Sequence, residues 1–402
     1  MISNIEKLHY YGWNKIQKSI QKLDTKYLII DCIDNYFNNH TNIIENEWIG
    51  IIHHTKSTFS DNNITNLFKN KIFLNSLKNC KCLITLSDYN RNNIISELNI
   101  IYLLIPIYTL YHPIPPNIVD IFDINLFEKN LSVINIGGWL RNPYTIYETK
   151  IYYNNILLNK HKLKGYLMEQ YFPTKDINYK YIINSNSNED NINYNINSIV
   201  NYSHSNNLIN YFIKFLIDYI NKIKVNLDDS QLLDKLIENH NSVKIYDYLD
   251  NEEYIKLFIN NIVFCDYIDC SASNTILECI LTGTPIILNK LPAIVEYLGD
   301  DYPLYRENIY NITNNSYYLN YDNILAAHNY LLNIKYSQKL NLKIFINKFK
   351  NIINKLDNSY YINIIIYMYK IKLIKIINFI KNKIQSLNIF ILINKFKKYY
   401  IN

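Results

Sequence analysis

Glycine, proline and arginine are scarce in this 402-residue chain, with 7, 9 and 3 copies. No G-x-G-x-x-G occurs, which excludes the dinucleotide-binding fingerprint. No Asp-x-Asp occurs either, which argues against the common carboxylate–metal way of holding a nucleotide diphosphate. The six cysteines (Cys32, Cys80, Cys82, Cys265, Cys270, Cys279) form no Cys-x-x-Cys and sit in apolar runs. They read as buried free thiols of a reducing compartment. No uninterrupted apolar stretch reaches about 18 residues, so no clear membrane span is expected. The first residues, MISNIEKLHYYGW, hold no apolar core segment and do not read as a signal peptide. A cytoplasmic location is the expectation. The charge balance, 41 Lys and Arg against 35 Asp and Glu, is too weak and too scattered to argue for nucleic acid.

What is abundant is isoleucine and asparagine, together roughly a third of the chain, with 39 tyrosines besides. This resembles an AT-rich coding bias, in which Lys replaces Arg and tolerant positions fill with Asn, Ile and Tyr. A Gly, Pro or Arg that is present therefore has a raised chance of being structurally required. Hydrophobic residues make 49%, ample for buried cores. The length suggests two or three domains.

Short apolar runs alternate with helical spacing. Strands are expected near 27–33, 47–52, 82–86 and 106–111, with helices over 66–79 and 88–100. Pro113, Pro115 and Pro116 mark a boundary. A second series follows, with strands near 131–136, 243–246, 262–268 and 285–288 and helices over 208–224, 251–260 and 274–282. Residues 184–207 read as an Asn- and Ser-rich insertion. Strand–helix alternation predicts an α/β fold of two Rossmann-like domains with parallel sheets. The expected division is 1–128, 129–318 and a helical tail, 319–402.

In open parallel sheets ligands bind beyond the carboxyl ends of strands. The residues there are His53 and His54, Ser87, His112, Gly137 and Gly138, and Ser271 to Thr275. Ser273 reads as the N-cap of a helix whose free amides suit a diphosphate, together with Asn274 and Thr275. Glu278, four residues after Asn274, shares a helix face with it and suits a ribose diol. Its bland reading is a solvent-facing acid on an ordinary capped helix. Gly137-Gly138 permits close approach of backbone or ligand. Arg141 offers a guanidinium fork to a diphosphate, or else makes a surface salt bridge. Lys164 is a weaker candidate for the same anion. Adjacent strand residues point to opposite faces, so one of His53 and His54 is expected to face a cleft. His112, before Pro113, reads as a linker residue. Ser87 reads first as an N-cap that could also touch ligand.

These stretches match a family. VINIGGWLRN, VKIYDYLDNEEYIKLFINNIVFCDYIDCSASNTILECILTGTPIILN and IVEYLG resemble the C-terminal half of group 1 glycosyltransferases of the two-domain GT-B type. WIGIIHH, CKCLITLSDYNRN and IPIYTLYHPIPP resemble their N-terminal half. The resemblance covers about residues 28 to 310, and the wording and composition are similar to glycosyltransferases of giant DNA viruses.

The resemblance implies a GT-B fold with a central cleft and a nucleotide-sugar donor. It implies sugar transfer to an unknown glycan, protein or lipid acceptor, with retention and with no metal or other cofactor. Glu278 would hold the ribose. The amides near Ser273–Thr275, with Arg141 and Lys164, would hold the diphosphate. His54 or His53 would contact sugar or acceptor, with Ser87 on the acceptor side. Tyr246 or Tyr248 would lie near the base. Two departures stand out. Cys270, beside Asp269, occupies the position eight residues before Glu278 where many members carry Glu. No clear strand and Gly-rich loop precede Tyr27. The rivals are a nucleotide-sugar epimerase, an inactive sugar- or nucleotide-binding module, and a membrane-surface protein acting through residues 362–399.

Overall fold

In a computed structural model, the described residues are 12–57, 63–114, 121–138, 140–142, 144–163, 241–246, 249–306 and 316–357, with five more between 231 and 239. The expected insertion, the helix over 208–224, and the tail beyond 357 lie outside them. The chain divides after residue 347 into two compact units, and the first holds all the sheets.

The fold is α/β. The first sheet runs β1 (Leu28–Ile30), β2 (Trp48–Ile52), β3 (Cys80–Thr85), β4 (Ile107–Thr109), in that order and all parallel. β2 is buried at every residue, as expected of a strand covered on both faces. The second sheet contains β5 (Ser132–Asn135), β8 (Asn159–Leu163), β9 (Val243–Tyr246), β10 (Ile262–Cys265), β11 (Ile286–Asn289) and β12 (Tyr305–Arg306). Its order is β12-β11-β10-β5-β8-β9, again all parallel. A small third sheet joins β6 (Lys150–Tyr153), β7 (Ile156–Leu157) and β13 (Ser316–Leu319).

Several elements differ from expectation. The helix expected over 66–79 is two helices, Ile64–Leu67 and Lys71–Ser76, followed by a 3-10 turn, Leu77–Asn79. Asn70 is the reason: its side chain accepts from the amides of Ile72 and Phe73 and starts a new helix. A helix, Asn14–Ile20, precedes the first strand, where nothing was expected. Helix Tyr321–Lys335 falls in the segment expected to be a helical tail, and it buries Ile324, Ala327 and Leu331 in the core of the second sheet. There the His328 ring donates to the Gly283 carbonyl at 2.7 Å.

The two sheet regions are tied by helix Pro292–Leu298. Ser87 caps helix Asp88–Ile100, accepting from the Asn90 amide. The amides of Asp88 and Tyr89 donate to the Glu296 carboxylate, both at 2.6 Å. A carboxylate at a helix N-terminus is favourable because it meets the positive end of the dipole. Next to it, the Tyr297 hydroxyl accepts from the His112 amide at 2.9 Å and donates to the Leu86 carbonyl at 2.6 Å. Tyr297→Phe removes both bonds and leaves a buried amide unmatched. It should lower stability by about 1–3 kcal/mol, seen in urea unfolding as an earlier midpoint with unchanged slope. A wild-type midpoint would show that the joint contributes nothing.

Candidate functional site

The strand order of the second sheet reverses between β5 and β10. Later strands extend one way from β5 (β8, β9) and the other way from β10 (β11, β12). Such a switch point opens a crevice at the carboxyl ends of the two strands. The chain after β5 supplies Gly137, Gly138, Leu140 and Arg141, and the chain after β10 supplies Asp266 to Thr275. The two segments are laced together. Asn142 donates to the Asp266 carbonyl, and Ile268 donates to the Leu140 carbonyl, each at 2.8 Å. At the end of β11, the Asn289 amide clamps the Tyr267 backbone through two bonds of 2.7 Å.

Arg141 is buried at the centre of this lacing. Its Nη2 donates to the hydroxyls of Tyr267 at 3.1 Å, Ser273 at 3.0 Å and Thr275 at 3.0 Å. The guanidinium also lies over the Tyr267 ring, 4.7 Å from its centre. The surface-salt-bridge reading of Arg141 therefore fails. At Gly137 the close approach is made by the protein itself. Gly137 has φ +76, and a Cβ there would run into the Arg141 guanidinium at Nη1. The group that approaches Gly137 is thus Arg141 itself.

Ser273 occupies the N-cap position of helix Asn274–Thr282, but its side chain makes no capping bond. The hydroxyl is taken by Arg141 and by Tyr267, the latter at 2.7 Å. The expected side-chain cap is therefore absent. That end of the helix presents its amides beside a buried guanidinium, an arrangement suited to an anion.

A cavity of about 320 Å³ lies against this wall. Arg141, Tyr267, Asp269, Cys270 and Ser273 to Thr275 line one side. Trp13, Asn35, His53, His54, Thr55, Leu86 and His112, from the first sheet's carboxyl ends and flanking helices, line the other. Both His53 and His54 line it, contrary to the alternation argument. β2 ends at Ile52, so the two-residue period does not reach them. His53 donates through Nε2 to the Asp31 carbonyl at 2.7 Å, and its amide donates to the buried Asp34 carboxylate at 2.8 Å. Burial lowers the His53 pKa, against the opposing pull of Asp34. Asn90 donates to the His54 carbonyl.

His112 is no bystander in a linker. It lines the cavity, is 3% exposed, and its pKa falls to about 3 through burial. Its Nδ1 bonds the Pro113 carbonyl at 3.1 Å. Trp13 packs edge-on to both rings, 4.5 Å from His53 and 5.3 Å from His112, and donates through Nε1 to Asp31.

The remaining candidates are placed as follows. Glu278 is 3% exposed, not solvent-facing, and accepts from the Tyr254 hydroxyl at 2.8 Å. It is not among the cavity-lining residues. Tyr246 stacks on His161, its hydroxyl 3.0 Å from Nδ1. Ser87 is fully buried as a cap and does not line the cavity. Lys164 and Tyr248 lie outside the described residues. Of the cysteines, all but Cys32 are buried and all six are free. Among the described residues, no group of three or more His, Cys, Asp and Glu is placed to hold a metal ion. Among them also, no helix is long and apolar enough to cross a membrane.

Sequence reasoning missed Trp13, Asn35, Thr55 and Tyr267. Trp13 was findable, because tryptophan is as rare as arginine here, with 3 copies. Tyr267 carried no signal among 39 tyrosines.

No protein-family model and no curated protein matches the chain. Solved structures do. Sucrose-phosphate synthase from Thermosynechococcus elongatus is 8% identical, with 86% of this chain and 77% of that one covered at TM-score 0.43. HepE from Anabaena, in complex with UDP, is 12% identical, with 85% and 81% covered at TM-score 0.41. A UDP-forming α,α-trehalose-phosphate synthase from Burkholderia xenovorans is 8% identical, with 78% and 69% covered at TM-score 0.43.

Two outcomes are expected. Gly137→Ala should displace Arg141 while keeping the fold, and on the anion reading of this wall it should weaken binding of inorganic diphosphate, which calorimetric titration checks. His112, neutral when folded down to about pH 3 and ordinarily titrating near 6.5, should make stability pH-dependent. Between those values the unfolded chain binds a proton that the folded ring refuses, so stability falls as pH drops through that window. His53 adds to the same slope. His112→Phe should fall less steeply than wild type between pH 6.5 and 4 in urea unfolding, and equal slopes would contradict the account.

Proposed function

We propose that the chain is a GT-B glycosyltransferase, moving a sugar from a nucleotide-sugar to an acceptor hydroxyl without a metal ion. The observation that carries this is the Arg141 guanidinium, buried beside the helix Asn274–Thr282 N-terminus at the switch-point crevice. The bond between the sugar carbon and the diphosphate oxygen breaks, and negative charge gathers on the leaving diphosphate. A fixed cation and oriented amides stabilise that charge without reorganising. The acceptor oxygen bonds the sugar carbon and its proton leaves to solvent. Retention of configuration is the reading that the family resemblance suggests.

On the same reading His53 and His54 face the sugar or the acceptor from the opposite wall. The family resemblance assigns the ribose diol to Glu278 and the base to Tyr246; Glu278 is held by the Tyr254 hydroxyl, and neither residue lines the cavity. A binding module without turnover is the second reading, favoured by Cys270. Its thiol is buried, with a pKa pushed up to about 12, and it lines the cavity where a carboxylate would be more useful to a transferase.

Release of free nucleotide from a set of UDP- and GDP-sugars separates the two. Turnover supports the transferase, and tight binding with no release supports the module. Arg141→Ala should weaken donor binding or turnover by about 1.5–3 kcal/mol, roughly ten- to two-hundredfold. Arg141→Lys, which keeps the charge but not the fork, should fall between. Unchanged donor kinetics in both variants would sink the diphosphate assignment.

A further inference from the structure

His112 carries an unused acceptor. Its Nδ1 meets the Pro113 carbonyl, and a carbonyl oxygen can only accept, so Nδ1 holds the ring proton. The neutral ring then carries a lone pair on Nε2. That atom is buried and has no hydrogen-bond partner among the described residues. A buried acceptor left unmatched is costly, so such atoms call for an explanation. The ring's position is firmly set. Its backbone amide is fixed by Tyr297, and Trp13 packs against its ring. His112 lines the same cavity as Arg141.

We propose that His112 Nε2 accepts a hydrogen bond from a hydroxyl of the donor's sugar. The inference rests on the transferase reading. With the diphosphate on Arg141, the group covalently next to it is the sugar. The opposite wall then meets hydroxyls and not charge. A neutral imidazole with its proton pinned on Nδ1 accepts such a bond and cannot donate one from Nε2. It therefore selects a ligand group that donates, which a hydroxyl does and an ether or ester oxygen does not. His112 is thus a positioning residue for the sugar, with no proton transferred.

The test is calorimetric titration of wild type, His112→Phe and His112→Gln with UDP, GDP, UDP-glucose and GDP-mannose. Phe keeps a ring of similar size and removes the acceptor. Gln restores an acceptor near Nε2. The expected result is that His112→Phe binds free nucleotide like wild type but binds the nucleotide-sugar about tenfold more weakly, the loss of one hydrogen bond. His112→Gln should recover part of that difference. Equal loss for nucleotide and nucleotide-sugar would mean that the ring only packs, and would overturn the proposal. So would wild-type affinities in His112→Phe, or a Gln variant no better than Phe. If wild type binds none of the four, the transferase reading itself fails and the assignment falls with it.

Discussion

The Arg141 guanidinium is the constraint on which the second half of the fold is arranged. It joins the chain after β5 to the chain after β10 through Tyr267, Ser273 and Thr275. A buried cation is expensive unless its surroundings are oriented toward it. Each neighbour shows the consequence. Gly137 must lack a side chain because the guanidinium fills that space. Ser273 gives up its capping role because its hydroxyl is already engaged. Tyr267 is held at both backbone groups by Asn289 so that its ring and hydroxyl stay in place. The result is a buried cation held in place where the strand order of the second sheet reverses.

The opposite wall depends on a different joint. Glu296 and Tyr297, neighbours on one helix of the second half, bond three backbone amides and one carbonyl of the first. The partners of these side chains are backbone groups, so the bonds fix the first half's chain path and not merely a side chain. The path they fix includes Leu86 and His112, both of which line the cavity. The joint that couples the two sheet regions is also the one that places a site residue. A change at Glu296 or Tyr297 is thus a change in the cavity wall, although neither lines it.

The α/β class, the parallel sheets and the helix Asn274–Thr282 were legible because they rest on local signals. Buried strands are apolar throughout, and Gly283 at φ +68 stops that helix where the sequence places its end. The scarcity filter was useful at Arg141 and Gly137 for the same reason: few residues other than these satisfy a buried cation pressed on a left-handed backbone. What failed was inference about side-chain partners. Ser273 looked like a cap, and only the fold brings Arg141 from 132 residues away to compete for it. The split at Asn70 failed differently. Apolar spacing continued through it, and a local side-chain cap outweighed the periodicity. His53 and His54 failed because the strand ended one residue before the rule was applied.

The two walls differ in kind, and that difference does chemical work. One presents a permanent cation and a helix dipole. The other presents rings that burial keeps neutral: His112 to about pH 3, and His53 by the same cause. Had those rings been cationic at neutral pH, an anion could have bound either wall, and a ligand with one charged and one uncharged end could have entered in two orientations. On the proposed reading, a cation on one wall and the neutral His53 and His112 rings on the other favour one orientation of such a ligand. On that reading, desolvation of the two histidines orients the ligand as well as carrying a cost. Trp13 contributes to it by covering both rings, and its own N–H is tied to Asp31, so the cover is fixed. The polarity of the cavity follows from burial on one side and a pre-placed guanidinium on the other.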